Sequence, residues 1–325
     1  MRLKNNAVIY ALSANQDLAK KVADCLGMSL GGVRLSHFPS GEIMACPTET
    51  VRGKEVFVIQ STCPPVNEKL MEALIFIDAL RRSSAKEINV IVPYFGYARQ
   101  DRKSKPREPI TARLVADLFA TAGANRIVTF DLHAAQIQGF FNCIEDDLSA
   151  IPLLGHVIYN DKSINRENLV VVSPDHGGVN RARKMADKLN TPIAIIDKRR
   201  TATYQPEVMN IIGEVKDKDC LIIDDMIDTA GSAVAASVAL KKAGAKEVFI
   251  VCTHPVFSDP AYDRLVSSRA FKKIYVTDSI PLDSRFTTSE ELDITVCSLA
   301  PLIANAISAI NHDSSLSDCY LDFKD

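Results

Sequence analysis

Between Leu221 and Ser232 the chain reads Leu-Ile-Ile-Asp-Asp-Met-Ile-Asp-Thr-Ala-Gly-Ser. An apolar stretch that stops at paired carboxylates and turns through small residues into an Ala-rich segment predicts a strand, a loop and a helix. The loop then lies at the strand's carboxyl end and the helix's amino end. Phosphates suit such a place. Backbone N–H groups and the positive end of the helix dipole meet a dianion at Asp228, Thr229, Ala230, Gly231 and Ser232, while Asp224 and Asp225 can accept hydrogen bonds from sugar hydroxyls. The plain alternatives are a strand–turn–helix with acidic caps, or the acidic strand end of a nucleoside triphosphatase. No G-x-x-x-x-G-K-[ST] loop is present to partner the latter.

Other clusters fall at strand ends too. Arg99, Arg102, Lys103, Lys105 and Arg107 crowd one loop between a strand and a helix. A solvated face or a nucleic-acid patch would use the same residues, but only Tyr97 offers an adjacent aromatic, so a base-stacking platform is poorly supported. A nucleotide-phosphate role fits the position better. His133 follows the strand 127–130, and Asp175 follows the strand 169–173. A lone His is usually structural, yet a hard cation held mainly by phosphate oxygens and water needs only one or two protein ligands, and no zinc-type ligand set exists. Gly177 and Gly178 allow close backbone approach beside Asp175. Lys198-Arg199-Arg200 follows the strand 193–196 and opens a stretch without apolar periodicity, through Thr203-Tyr204-Gln205-Pro206, which reads as a mobile lid. His176 and His254 read as bystanders.

These residues need elements to carry them. Strands alternate with helices throughout, which predicts an α/β chain. Three phrases, Ser84–Val92, Ala122–Val128 and Ala243–Val251, each join a helix end to a buried strand. Sliding the second onto the third lays helix 111–121 over 233–242, so two related halves are expected, the sugar-phosphate loop surviving only in the second. The boundary is placed near Ser149 to Pro152, giving domains 1–150 and 151–310 and a polar tail 311–325. With 325 residues and a 47% hydrophobic fraction, two buried cores are affordable. A net charge of −2 supplies no global field for nucleic acid or an anionic membrane. Eight scattered cysteines without C-x-x-C spacing read as reduced core thiols. No signal peptide or membrane-length apolar run is seen, which predicts a cytoplasmic protein.

The segment 221–232 is similar to the ribose-5-phosphate loop of the phosphoribosyltransferase fold. It is joined by His37-Phe38-Pro39-Ser40-Gly41-Glu42, by Phe95 to Lys103, by Asp131-Leu132-His133-Ala134, by Ser173-Pro174-Asp175-His176-Gly177-Gly178 and by Asp197-Lys198-Arg199-Arg200. In this order, from Ser36 to near Ile310, the chain resembles the class I ribose-phosphate diphosphokinases. The resemblance implies two doubly wound phosphoribosyltransferase-like domains with mainly parallel sheets. It implies transfer of the diphosphoryl group of Mg-ATP to ribose 5-phosphate, giving 5-phosphoribose 1-diphosphate and AMP.

By the same resemblance Arg99 and Gln100 hold ATP, and Phe38, Ser40, Gly41 and Glu42 form an adenine pocket contributed by a neighbouring subunit of a homohexamer. His133 and Asp175 bind Mg²⁺, about two ions with at least one arriving on ATP, and Asp131 supports them. Asp175, Gly177 and Gly178 form the diphosphate loop. Lys198 is catalytic, and Arg200 binds ribose 5-phosphate and transition-state oxygens. Control by phosphate and ADP is implied, with Arg52, Arg102 and Gln138 at matching positions. Three departures stand out: Ser40 replaces an Asp or Asn, Asp147 replaces an Asn found in some relatives, and Asp318-Cys319 interrupts a tail that elsewhere runs Ser-x-Ser-Tyr-Leu-Phe. A phosphoribosyltransferase that consumes the product would leave the first half unexplained. A non-catalytic regulatory subunit would lack reactive positions, whereas His133, Asp175, Lys198 and Arg200 are all present.

Overall fold

Strands such as Glu-Ile-Asn-Val-Ile-Val at 87–92 and Leu-Val-Val-Val-Ser at 169–173 are apolar almost without alternation and buried along their length. Runs of that kind belong in parallel sheets covered on both faces. A computed structural model of the protein describes residues 3–4, 6–199 and 208–323. Its elements begin with β1 (Ala7–Ala11), α1 (Gln16–Leu26), β2 (Val33–His37), β3 (Ile43–Pro47), β4 (Glu55–Ile59), α2 (Val66–Arg82), β5 (Glu87–Val92), α3 (Thr111–Ala122), β6 (Arg126–Phe130) and β7 (Ile144–Leu148). They continue with α4 (Ile151–Asn160), β8 (Leu169–Ser173), α5 (Val179–Leu189), β9 (Ile193–Arg199), β10 (Val208–Ile212), β11 (Asp219–Ile227) and α6 (Gly231–Lys242). Then come β12 (Glu247–Pro255), α7 (Ala261–Ser268), β13 (Lys273–Thr277), α8 (Ser284–Thr287), β14 (Ile294–Cys297), α9 (Ala300–Asn311) and a 3-10 segment, Leu316–Phe323.

Two units share these elements. The first comprises residues 1–149, 279–281 and 298–322, the second residues 150–278, 282–297 and 323–325. The expected assignment of residues 151–310 to the second domain is thus corrected at its end, because α9 belongs with the first unit. Its packing explains this. α9 lies against α1, and the buried Asn311 at its end accepts from the Lys4 N–H at 2.7 Å and donates to Glu55 Oε2 at 2.7 Å.

In the first unit β1-β4-β5-β6-β7 form a parallel sheet, and β2 and β3 form a separate antiparallel hairpin. Helix α2 buries Leu70, Ala73, Phe76, Ile77 and Leu80, the spacing of one helical face. Phe76 meets Tyr10 edge to face with ring centroids 5.2 Å apart. Truncating so buried a ring costs about 3–5 kcal/mol.

In the second unit the order is β10-β9-β8-β11-β12-β13-β14, parallel except for β10. Chain direction across this sheet reverses between β8 and β11: β9 lies on one side of β8, and β11 to β14 extend on the other. Ligand crevices in open α/β sheets form outside the carboxyl ends of strands at such a reversal. The cysteines are all free thiols, and Cys63, Cys220, Cys252, Cys297 and Cys319 are buried, whereas Cys25 is exposed. Among the described residues no helix is long and apolar enough to cross a membrane.

Candidate functional site

The reversal point of the second unit gathers most of the sequence-selected groups. β11 does not stop at its carboxylates, as the sequence suggested, but continues to Ile227. Against β8 its pairing ends at Ile222, whereas against β12 it runs on through Asp224, Met226 and Ile227. The last residues of β11 are therefore held on one edge and open on the other. Asp224 and Asp225 occupy that overhang, Asp225 buried and Asp224 partly open. The Asp225 N–H donates to Asp224 Oδ1 at 2.9 Å. Burial, followed by the adjacent Asp225 carboxylate, raises the Asp224 carboxyl above the usual range.

A cation from α5 answers the pair. Arg181 Nη1 lies 3.4 Å from Asp225 Oδ1 and 3.6 Å from Asp224 Oδ1. It sits in the first turn of α5 and was not singled out from sequence, although the first turn of a helix that follows a glycine loop at a strand end faces the crevice. Next to it, Asp175 is exposed and its Oδ1 accepts the Gly178 N–H at 3.0 Å, while Ser173 Oγ donates to the Asp175 carbonyl at 2.7 Å. Asp175 thus closes the turn that leads into α5. A Cβ at Gly178 would come within 2.9 Å of Ser173 Oγ, so a side chain there requires the serine hydroxyl to shift. His176 pairs with Asp197 at 2.9 Å, and His254 is buried inside β12.

The loop Asp228–Ala230 leads into α6. Ala230 adopts φ 60°, and no side chain caps the first turn of α6. From α7, Arg264 Nη1 donates to the Thr229 carbonyl at 2.9 Å and would lie 3.1 Å from a Cβ at Gly231. A guanidinium thereby braces the loop while adding positive charge beside the helix's amino end. Nothing in the sequence marks Arg264, which lies 35 positions from its partner. Lys198 proves to lie in β9, paired with Met209 of β10, and Arg199 pairs with Val208. The basic triplet therefore begins on a strand of an antiparallel pair instead of in an irregular loop; Arg200 and the lid stretch lie outside the described residues.

In the first unit, the connection after β5 is fastened at its start. The Gly96 N–H donates to Thr62 Oγ1 at 2.6 Å, and a Cβ on Gly96 would meet the Thr62 carbonyl at 2.5 Å. Tyr97, at φ 67°, bonds Asn67 through its hydroxyl. Beyond it Arg99, Gln100, Arg102, Lys103, Lys105 and Arg107 are all exposed, and Gln100 accepts from the Thr111 hydroxyl at the start of α3. Phe38 is 53% exposed, which removes the ordinary core reading of that ring. It stands at the tip of the β2–β3 hairpin, where the Phe38 N–H donates to the Glu42 carbonyl at 2.9 Å and Gly41 takes φ 90°. Ser40 Oγ donates to Glu42 Oε2 at 2.7 Å. The substituted serine therefore orients the glutamate.

Asp131 follows β6 with φ 42°, and its N–H donates to the Leu148 carbonyl at 2.9 Å. His133, two residues on, is exposed. Asp147 accepts from the Leu132 N–H at 3.2 Å and from Thr129 Oγ1 at 3.1 Å. Burial, then the Asp131 charge, pushes the Asp147 carboxyl up to about 6. Burial also pushes Glu145, bonded to Thr129 Oγ1 at 2.6 Å, up to about 7. Of the positions implicated in control, Arg52 Nη1 donates to Ser84 Oγ at 3.1 Å and Gln138 bonds Asp147. Among the described residues no group of three or more His, Cys, Asp or Glu side chains converges on a metal-sized point.

The strand reversal, the glycine turn and the acidic strand end define a phosphoribosyltransferase-type α/β protein, and residues 156–292 match the family description "Phosphoribosyl transferase domain". Residues 7–123 match "N-terminal domain of ribose phosphate pyrophosphokinase". The chain is 53% identical to the ribose-phosphate pyrophosphokinase of Fusobacterium nucleatum over 97% of its own length and 98% of that protein. It is 53% identical to that of Bacillus caldolyticus over 95% of this chain and 96% of the other. The crystal structure of phosphoribosylpyrophosphate synthetase from Mycobacterium smegmatis superposes with a TM-score of 0.87 at 44% identity, covering 95% of this chain and all of that one. The chain belongs to the ribose-phosphate pyrophosphokinase family.

Proposed function

We propose that the protein transfers the diphosphoryl group of ATP to the anomeric hydroxyl of ribose 5-phosphate, releasing AMP and 5-phospho-α-D-ribose 1-diphosphate. The observation that carries this reading is the overhang of β11, where Asp224 and Asp225 stand directly before a phosphate-suited helix entrance at Asp228–Ser232. The carboxylates orient ribose hydroxyls, and the loop N–H groups with the α6 dipole hold the 5-phosphate. This fixes the anomeric oxygen in line with the β-phosphorus. Gly177 and Gly178 leave the α5 entrance clear for a diphosphate. Arg99 and Gln100 hold the nucleotide phosphates, and Phe38, Ser40, Gly41 and Glu42 receive the adenine.

His133 and Asp175, each exposed at a strand's carboxyl end, are the residues that would hold Mg²⁺. An imidazole and a carboxylate oxygen suit a hard cation that keeps most of its shell as water and phosphate oxygens. When bound, about two such ions supply charge neutralisation on the transferring group. Lys198 and Arg200 oppose the negative charge that redistributes over the bridging and equatorial oxygens. Asp197, held by His176, precedes them and anchors the end of β9. We assign residues 1–150 to nucleotide binding and residues 151–310, without α9, to the sugar phosphate. The protein works in the cytoplasm as a homohexamer whose adenine pockets are shared between subunits.

The test is product analysis. Purified protein with Mg²⁺, ATP and ribose 5-phosphate should yield AMP and the sugar diphosphate in equal amounts by phosphorus NMR. Appearance of ADP instead would identify an ordinary kinase.

A further inference from the structure

We propose that Tyr320, in the 3-10 segment near the end of the chain, positions the loop that presents His133. The two lie far apart in sequence but share the first unit. The Ser149 N–H donates to the Tyr320 phenol oxygen at 2.8 Å, and Ser149 Oγ donates to Asp131 Oδ1 at 2.9 Å. Asp131 holds φ 42°, a left-handed conformation that is uncommon outside glycine and that its neighbours here hold in place. Its N–H is fixed on the Leu148 carbonyl at 2.9 Å, and the following Leu132 N–H on Asp147 Oδ1 at 3.2 Å. His133 is the first residue past this clamp.

The far end of the chain of bonds is anchored as well. Cys319 is buried, and its carbonyl accepts from Asn305 Nδ2 of α9 at 3.2 Å. Burial pushes the Tyr320 phenol up to about 12, so it stays neutral and keeps its hydroxyl proton across the physiological range. The sequence Asp318-Cys319, which departs from the family's tail, thus leads directly into a working contact. Loss of the phenol oxygen would remove this bond from the half-buried Ser149 N–H and release one wall of the Asp131 turn.

The consequence for metal and nucleotide rests on the reading of His133 given above, and the experiment separates the two. In the full-length protein, Tyr320→Phe should accelerate amide deuterium uptake at Ser149 and across residues 129–135 by about fivefold or more, leaving the rest of the first unit unchanged. The Mg²⁺ concentration for half-maximal turnover should rise about threefold to tenfold, with kcat within about twofold of the parent. Ser149→Ala cuts the next link, so Tyr320→Phe should add little in that background. Unaltered uptake at 129–135, a uniform rise over the whole unit, or fully additive effects of the two substitutions would overturn the proposal. If His133→Ala kept the parent's Mg²⁺ dependence while Tyr320→Phe still loosened 129–135, the relay would stand and only the metal role of His133 would fall.

Discussion

The connection after β5 and the connection after β11 occupy the same place in their sheets, each leaving a central strand and entering a helix that leads to the next parallel strand. In the second unit it is residues 228–230, turning tightly into α6; in the first it is residues 93–110, a basic excursion before α3. Strand order accounts for much of the difference. The second sheet reverses direction between β8 and β11, so a short loop there already borders a crevice. The first sheet runs β1-β4-β5-β6-β7 in one sense and offers no reversal, so the phosphate-binding groups proposed there are carried out on a longer loop. On the proposed function, related building blocks thus come to hold different anions, a small sugar phosphate on backbone N–H groups and a large nucleotide on exposed guanidinium and amide side chains.

The largest test of this division uses the two sheet edges in parallel. Lys198→Ala should lower kcat by about 100- to 1000-fold with little change in KM, about 3–4 kcal/mol of transition-state stabilisation. Arg99→Ala should mainly raise KM for ATP. Equal losses of kcat from both would break the division between a reacting edge and a holding edge. Next, replacing Asp224 and Asp225 together by Asn should weaken ribose 5-phosphate by about tenfold or more while ATP affinity changes far less, since carboxylates accept stronger hydrogen bonds than amides. Calorimetric titration with each ligand separates the two.

Two glycines sharpen the contrast. Gly178→Ala puts a methyl 2.9 Å from Ser173 Oγ at the crevice, and Gly96→Ala puts one 2.5 Å from the Thr62 backbone carbonyl in the other unit. The first should cost turnover more than stability. The second should destabilise by about 1–3 kcal/mol, because a backbone atom cannot yield as a hydroxyl can; denaturant titration beside kinetics checks both. Arg264→Ala should raise KM for ribose 5-phosphate about tenfold, or about 1.4 kcal/mol, and leave KM for ATP unchanged. Arg264→Lys, which keeps charge and a donor, should recover part of that loss.

The smallest effect concerns pH. Glu145 has its folded value raised from 4.5 to about 7 and Asp147 from 3.8 to about 6, so the native state binds more protons than the unfolded chain between those limits. Stability contributed by this pair is fully present below about pH 4 and is lost as pH rises to about 7. Glu145→Gln should flatten that fall and raise Tm by about 1–3 °C at pH 8. A pH series of thermal melts in which the variant and parent run parallel would exclude the effect.

The strands, the paired acids and the glycine turn were legible because each announces itself locally: apolar runs of strand length, carboxylates at their ends, small residues before a helix. What was hidden depends on contacts distant in sequence. Arg264 reaches Thr229 from another helix, and α9 leaves the second unit for the first because Asn311 satisfies Lys4 and Glu55. The extension of β11 past Asp224 was also unreadable, since it is β12 that sustains it. Glu145 and Asp147 showed only as an acidic run; their raised values follow from burial, which no spacing reveals.

The overhang of β11 has one more implication. Cys220 to Ile223 is buried without alternation, and such a stretch would sit almost as well if displaced by a single residue, because both of its faces meet apolar neighbours. The two aspartates would not. A slip would exchange their faces and carry one carboxylate away from Arg181, leaving charge stranded beside the core. The groups proposed to select the sugar therefore also act as alignment pins for the central strand, and variants that neutralise them should be watched for misregistered folding products as well as for lost affinity.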